Sequence, residues 1–154
     1  MTETKWDLDD PSDKEVETYI YNKKGLLIKH TDDYVDTYKY DKKGRLIVMK
    51  TTSYGGVTEQ VSYNKLGLEA KWVSTPYWSD VSRFDKCVET NTYDSQKRLV
   101  KSIRKYGSLK KITTRTYQGN QDIPVKQVEK WFRKEGGKYE STSTESSNYV
   151  VEAL

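Results

Sequence analysis

Long apolar runs are missing from this 154-residue chain, and no stretch approaches the roughly 20 residues that a membrane-spanning helix needs. The N-terminal segment is acidic, the reverse of the basic start and apolar stretch of a signal peptide. The protein is therefore expected to be soluble, unexported and cytoplasmic, with no membrane partner. A single cysteine, Cys87, cannot form an internal disulfide and fits a reducing compartment. With a single histidine, His30, the chain also lacks the ligands for a zinc site. A Ser-His-Asp or Cys-His site would have to use His30, no nucleophile elbow accompanies it, and it reads as a surface residue at a strand end. Asp7, Asp9, Asp10 and Asp13 are crowded as in a calcium loop but lack its glycine and its bidentate glutamate. Neither a phosphate-binding loop nor a dinucleotide fingerprint occurs. No cofactor and no metal are expected, and the chain reads as non-enzymatic. Two carboxylates brought together from different strands are the one arrangement a sequence hides.

Alanine, the best helix former, occurs only at Ala70 and Ala153, so helix is disfavoured almost everywhere. Hydrophobic residues make up 34% of the chain, too few for a thick core, while aromatic residues reach 12% and the net charge is only +4, which argues against disorder. The chain reads as folded and all-β.

One phrase recurs. It stands at Tyr21-Asn22-Lys23-Lys24-Gly25-Leu26, at Tyr40-Asp41-Lys42-Lys43-Gly44-Arg45-Leu46, at Tyr63-Asn64-Lys65-Leu66-Gly67-Leu68 and at Tyr93-Asp94-Ser95-Gln96-Lys97-Arg98-Leu99, with a looser copy beginning at Tyr117. The spacing suits one hairpin per copy. Asn or Asp accepts a backbone hydrogen bond two residues on, and glycine supplies a left-handed residue that forms a bulge. Lys97 in the place of glycine should cost its turn stability or change its type. Strands are predicted at 15–21, 26–31, 35–40, 45–53, 57–63, 68–78, 83–93, 98–106, 109–117, 125–134 and 138–150, an antiparallel meander of about eleven strands, either an extended twisted sheet or a partly closed barrel. Gly55-Gly56 and Gly136-Gly137 read as turns. Residues 1–14 read as an acidic flexible arm and 15–154 as a single β-repeat domain. In 45–50 apolar residues point both ways, so that strand is expected to be covered on both faces.

The segment Tyr40–Leu46 resembles the Tyr-Asp-x-x-Gly-Arg-Leu signature of the YD-repeat, or rearrangement-hotspot, family. The copies at Tyr21 and Tyr63 depart from it by carrying Asn and lacking Arg, and the copy at Tyr93 keeps Asp94, Arg98 and Leu99 but loses the glycine. The likeness covers roughly residues 15–135 and implies a hairpin-repeat fold. In large members of that family the repeats wind into a shell around a toxin, for which this chain is too short. Small hairpin arrays of this kind serve as antitoxins or immunity proteins in bacteria and phages, and that is the role the resemblance implies.

Charge is unevenly placed. Between Asp94 and Asp122 there is no acidic residue, whereas Lys97, Arg98, Lys101, Arg104, Lys105, Lys110, Lys111 and Arg115 all fall there. This basic hairpin is read either as a docking face for an acidic protein or nucleic acid, or as solvated lysines that discourage edge pairing. Among the aromatic residues, Tyr77, Trp78 and Trp131 are the candidate anchors, Trp72 reads as core, and Tyr19 with Tyr21, and Tyr38 with Tyr40, are expected to form cross-strand ladders. The leading expectation is a protein-binding module of inhibitory or immunity type. Nucleic-acid binding through 97–117 and a structural role in a phage or surface assembly are the alternatives, and homo-oligomerisation through sheet edges is open.

Overall fold

An Asn or Asp ahead of a turn can offer its side-chain oxygen to backbone N–H groups further along, and four segments of this chain do so in the same way. In the computed structural model, which describes residues 2–6, 16–52, 56–76 and 85–149, Asn22 Oδ1 accepts from the N–H groups of Lys24 at 2.8 Å and Leu26 at 3.1 Å. Asp41 Oδ1 accepts from Lys43 at 2.8 Å and Arg45 at 3.0 Å, and Asn64 Oδ1 from Leu66 at 2.9 Å and Leu68 at 3.0 Å. Asp94 Oδ1 accepts from Gln96 and Arg98, both at 2.9 Å. The fourth residue of each turn is left-handed, with φ of 75° at Gly25, 81° at Gly44, 83° at Gly67 and 67° at Lys97. Lys97 therefore keeps the turn type and accepts the steric cost, of order 1–2 kcal/mol for a residue with a Cβ.

Within this chain, Asp goes with Arg and Asn goes with Leu. Arg45 Nε and Nη2 both reach Asp41 Oδ2, at 2.7 Å and 2.6 Å. Arg98 Nε donates to Asp94 Oδ2 at 2.8 Å. In the other two turns the neutral amide faces Leu26 or Leu68, which needs no counter-charge.

The turns join β2 (Val16–Tyr21) to β3 (Leu27–Thr31), β4 (Val35–Tyr40) to β5 (Leu46–Thr51), β6 (Val57–Tyr63) to β7 (Glu69–Pro76) and β8 (Cys87–Tyr93) to β9 (Leu99–Tyr106). After these come β10 (Leu109–Thr116), β11 (Lys126–Glu135) and β12 (Lys138–Asn148), and before them β1 (Thr2–Trp6). The fold is an antiparallel meander whose strand order follows the sequence from β1 to β12. All eleven strands expected from the sequence are present, and the turn at Gly136-Gly137 is present too. Residues 2–6 depart from the acidic-arm reading. They form β1 and pair with β2 from Thr2↔Ile20 to Trp6↔Val16. The rest of that arm, Gly55, and the candidate anchors Tyr77 and Trp78 lie outside the described residues.

The chain divides into two compact units, Met1–Val61 with Ser74–Phe84, and Ser62–Val73 with Asp85–Leu154. In the first, the hairpin register slips opposite each repeat tyrosine. Ile20↔Lys29 is followed by Tyr21↔Leu27, and Lys39↔Val48 by Tyr40↔Leu46, which makes Ile28 and Ile47 extra residues. The second unit repeats this at Thr92↔Lys101 and Tyr93↔Leu99, with Val100 extra. The slip thus lies beyond the glycine position, on the outgoing strand. It explains why the apolar runs at 26–28 and 46–49 do not alternate, because a bulge re-aims the side chains that follow it.

The repeat tyrosine also clasps the preceding hairpin. Tyr40 Oη donates to Leu27 O at 2.8 Å, Tyr93 Oη to Glu69 O at 2.9 Å, and Tyr117 Oη to Leu99 O at 3.0 Å. Each acceptor lies just past a turn, so each clasp ties one repeat to the next at a net gain of about 1 kcal/mol. Tyr19 stacks on His30 at 4.5 Å with 22° between the planes. Among the described residues no apolar side chain is fully buried, and all six residues of β5 are half-buried. Cover comes instead from long cationic side chains lying over rings, Arg98 on Tyr117 at 4.6 Å and Lys110 on Phe132 at 4.8 Å.

Two outcomes follow from the turns. Lys97→Gly should raise stability by about 1 kcal/mol, read as an upward shift of the urea midpoint with unchanged slope. The second concerns acid. The Arg45 N–H and guanidinium hold the Asp41 carboxyl below its ordinary value of 3.8, against the pull of burial. At Asp94 burial pushes the carboxyl up, but the N–H and guanidinium of Arg98 outweigh it and the net shift is again downward. A depressed folded value means that this stability is present above 3.8 and is lost as pH falls through the lower folded value. Asp41→Asn with Asp94→Asn keeps both Oδ1 acceptors and removes the titration, so its acid unfolding curve should be shallower than that of the wild type.

Candidate functional site

Directly opposed residues in an antiparallel pair point to the same side, so the register of the second unit sorts the basic hairpin. One face carries Glu89 on β8, Arg104 on β9, Lys111 on β10 and Trp131 on β11, since Glu89↔Arg104, Lys111↔Arg104 and Lys111↔Trp131 are opposed. Ser102, Thr113 and Glu129 form the next row of that face. The other face carries Lys101 and Lys105 on β9, Lys110 on β10, and Lys126, Lys130 and Lys134 on β11.

The first face is mixed in sign, and most of its charged groups are paired within it. Arg104 Nε donates to Glu89 Oε2 at 2.7 Å, and Lys111 Nζ lies 2.7 Å from Glu129 Oε2. Arg115 Nε donates to Gln127 Oε1 at 2.9 Å, Gln127 to Glu129 Oε1 at 3.3 Å, and Thr113 Oγ1 to the same oxygen at 3.4 Å. Glu89, Arg104, Lys111, Thr113, Arg115 and Glu129 help to line a polar depression of about 190 Å³, and Thr113 is 5% exposed. On the same face Arg115 Nη1 and Asn91 Oδ1 are buried without a hydrogen-bond partner. The hydrogen bond that Arg104 donates to Glu89 pushes the Arg104 pKa above its usual value. Burial pushes the Cys87 thiol up, and Arg104 offsets only part of this, so the sulfur is held as the unreactive thiol.

The second face has one sign. Its residues on β8 are Val88, Thr90 and Thr92, and on β12 they are Tyr139, Ser141, Thr144, Ser146 and Asn148, so among the described residues of β8 to β12 no carboxylate shares the face with the lysines. Lys101, Lys105, Lys126, Lys130 and Lys134 are exposed and make no ion pair among the described residues. Lys105 and Lys110 are directly opposed, a like-charge pair that the fold itself disfavours. Between the lysines run Ile103, opposed to Ile112, and Val128.

The predicted patch is thus divided. Lys101, Lys105 and Lys110 come together, while Arg104, Lys111 and Arg115 are withdrawn to the opposite face. Lys97 and Arg98 sit at a turn. Arg98 is occupied there, donating to Asp94, to Gly119 O at 2.8 Å and to Gln121 O at 3.0 Å. Lys126, Lys130 and Lys134 complete the lysine face from beyond Asp122, which ends the run without acidic residues; their spacing of four along one strand is the signal that places them on one side. Trp131 is half-buried under Lys111 Nζ, 5.0 Å from the ring, and is not an open anchor. Trp72 is half-buried with Arg104 5.8 Å away rather than enclosed in a core. Among the described residues of this unit, Leu66 and Ile123, each 58% exposed, and Tyr149, 42% exposed, are large hydrophobic side chains left open outside the strands, and none of them is among the anchors expected from the sequence.

In the first unit, His30 is not the surface residue expected at a strand end. It packs against Tyr19, its Nδ1 lies 3.7 Å from Asp36 Oδ2, and its Nε2 is buried without a hydrogen-bond partner. The hydrogen bond from Tyr19 Oη to Glu17 at 2.6 Å, helped by burial, pushes the Tyr19 pKa up to about 12. Among the described residues no cluster of three or more His, Cys, Asp or Glu side chains is placed to hold a metal ion, and no helix is long and apolar enough to cross a membrane. Comparison of the sequence with protein-family models and with curated proteins finds no significant match.

The carboxylates of the mixed face are not equivalent. Glu129 neutralises the half-buried Lys111, whereas the Arg104 that meets Glu89 is 51% exposed. Glu129→Gln should cost about 1–2 kcal/mol and Glu89→Gln less than about 1 kcal/mol, both measured by urea unfolding at neutral pH.

Proposed function

We propose that this chain is a non-enzymatic binding module that acts in the cytoplasm by laying the lysine face of β9–β11 on an acidic protein surface. The observation that carries the reading is the segregation itself. Every carboxylate of β8–β11 lies on the opposite face, and a pair of opposed lysines persists against its own repulsion. A face of this kind steers an acidic partner toward it and rejects basic ones.

A protein is favoured over nucleic acid by what accompanies the lysines. Arginine, the side chain suited to bidentate phosphate and base contacts, is absent from this face among the described residues, and the rings of Phe132 and Tyr139 are already covered by Lys110, at 4.8 Å and 5.2 Å. Ile103, Ile112 and Val128 give the face an apolar centre with a charged rim, the layout of a protein interface. The scaffold resembles a short, stand-alone YD-repeat array, and inhibition of the partner, in the manner of an immunity protein or a phage-encoded inhibitor, is the role that accords with a face built only for contact.

Capture from a nuclease-treated bacterial lysate at physiological salt tests the proposal. Wild type should retain an acidic protein, and Lys101→Glu with Lys130→Glu should weaken that retention at least about tenfold. Arg133→Glu, on the opposite face, should leave it unchanged. Retention that vanishes with nuclease would point to nucleic acid instead, and equal retention by all three proteins would remove the lysine face from the account.

A further inference from the structure

β12 is the last strand in the order, and among the described residues none pairs with its outer side. The phase of its ladder is fixed by two bonds. The Tyr149 N–H donates inward to Val125 O at 2.9 Å, while the Lys134 N–H points away from β12, to Ser108 O at 2.7 Å. Gln127↔Ser147, Glu129↔Glu145 and Trp131↔Ser143 are then the hydrogen-bonded pairs, and the N–H and C=O groups of Thr144, Ser146 and Asn148 face outward. The strand is 11 residues long and contains no proline, and its charges are limited to Lys138, Glu140 and Glu145. Edge strands of such length are usually blunted by lysine, proline or a bulge. A bulge does interrupt β12, leaving Thr142 without an opposed partner, but it protects only the first half. Ser143–Asn148 runs on in regular register.

We propose that this segment is a self-association site, where β12 of one copy pairs antiparallel with β12 of a second copy about a twofold axis at Ser146. That centre pairs Ser146 with Ser146 and Thr144 with Asn148, so all three outward-facing residues exchange their backbone bonds. Glu145 falls opposite Ser147, so no like charges are directly opposed. Centring on Glu145 would oppose two carboxylates, which disfavours that register. The acidic protein proposed above is a poorer occupant of this edge, because the charged side chains nearest to it, Glu140 and Glu145, are themselves acidic. The axis stands perpendicular to the sheet, so like faces match and the lysines of both copies lie on one side of the joined strands. The site rests on backbone pairing and is independent of the lysine reading.

Sedimentation equilibrium of the full chain tests it. Wild type should show a concentration-dependent dimer within a range up to about 1 mM, the weak end of specific association, and the dimer should be insensitive to salt. Ser146→Pro removes an outward N–H and no inner bond, so its far-UV circular dichroism should match wild type while the dimer is lost. Ser146→Lys brings two ammonium groups together at the axis and should weaken the dimer at least about tenfold. Should the proline variant not fold, the lysine variant decides. A monomer throughout the range, or a dimer that survives the folded Ser146 variants, overturns the proposal. Neither result bears on the lysine face, whose test reads partner retention.

Discussion

A single side-chain oxygen that accepts two backbone N–H groups is the interaction on which the other features of this protein depend. Among the described residues no apolar side chain is fully buried, so a thick core does not hold the strands in register and local interactions must. The Asn or Asp at the head of each turn does that by satisfying donors that would otherwise compete for water, and the left-handed fourth residue closes the loop. Two turns then bind the charge of Asp with Arg, and two avoid the charge with Asn. The same backbone geometry at Lys97, which carries a Cβ, shows that the hydrogen bonds to Asp94 outweigh the preference for glycine.

From the turns the structure propagates through the repeat tyrosines. At Tyr40 and Tyr93 the hydroxyl reaches the carbonyl just past the preceding turn and the register slips opposite the tyrosine itself, so one residue both ends a strand and fastens it to its neighbour. Because the slip re-aims the residues that follow, Ile28, Ile47 and Val100 break the alternation without spoiling the ladder. The surface between turns is then free to differ. In the second unit it has become two unlike faces, one a closed network of Arg, Lys and Glu around Thr113, the other lysines with a short apolar centre.

That division separates the two demands on the charged residues. Arg104, Lys111 and Arg115 stand where the carboxylates of Glu89 and Glu129 and the amide of Gln127 neutralise or occupy them, and they serve the fold. Lys101, Lys105, Lys126, Lys130 and Lys134 stand where, among the described residues, no carboxylate pairs with them. A long cationic run read along the chain mixes both populations, since neighbouring residues on a strand point to opposite sides.

The sequence by itself determined the class, the meander and the strands to within a few residues. Turn chemistry and strand propensity act over half a dozen positions, and each hairpin pairs with its neighbour. It also marked Lys97 as the odd residue in its turn. What only the tertiary structure decided is which charges share a face, that Arg98 belongs to its turn, that Trp72 lies beside a cation rather than in a core, that the candidate anchor Trp131 lies under Lys111, that His30 is covered by Tyr19, and that residues 2–6 are a strand. Those outcomes depend on bulges and cross-strand register. A shift of one residue reverses every side chain after it, and no local preference in the chain records that shift.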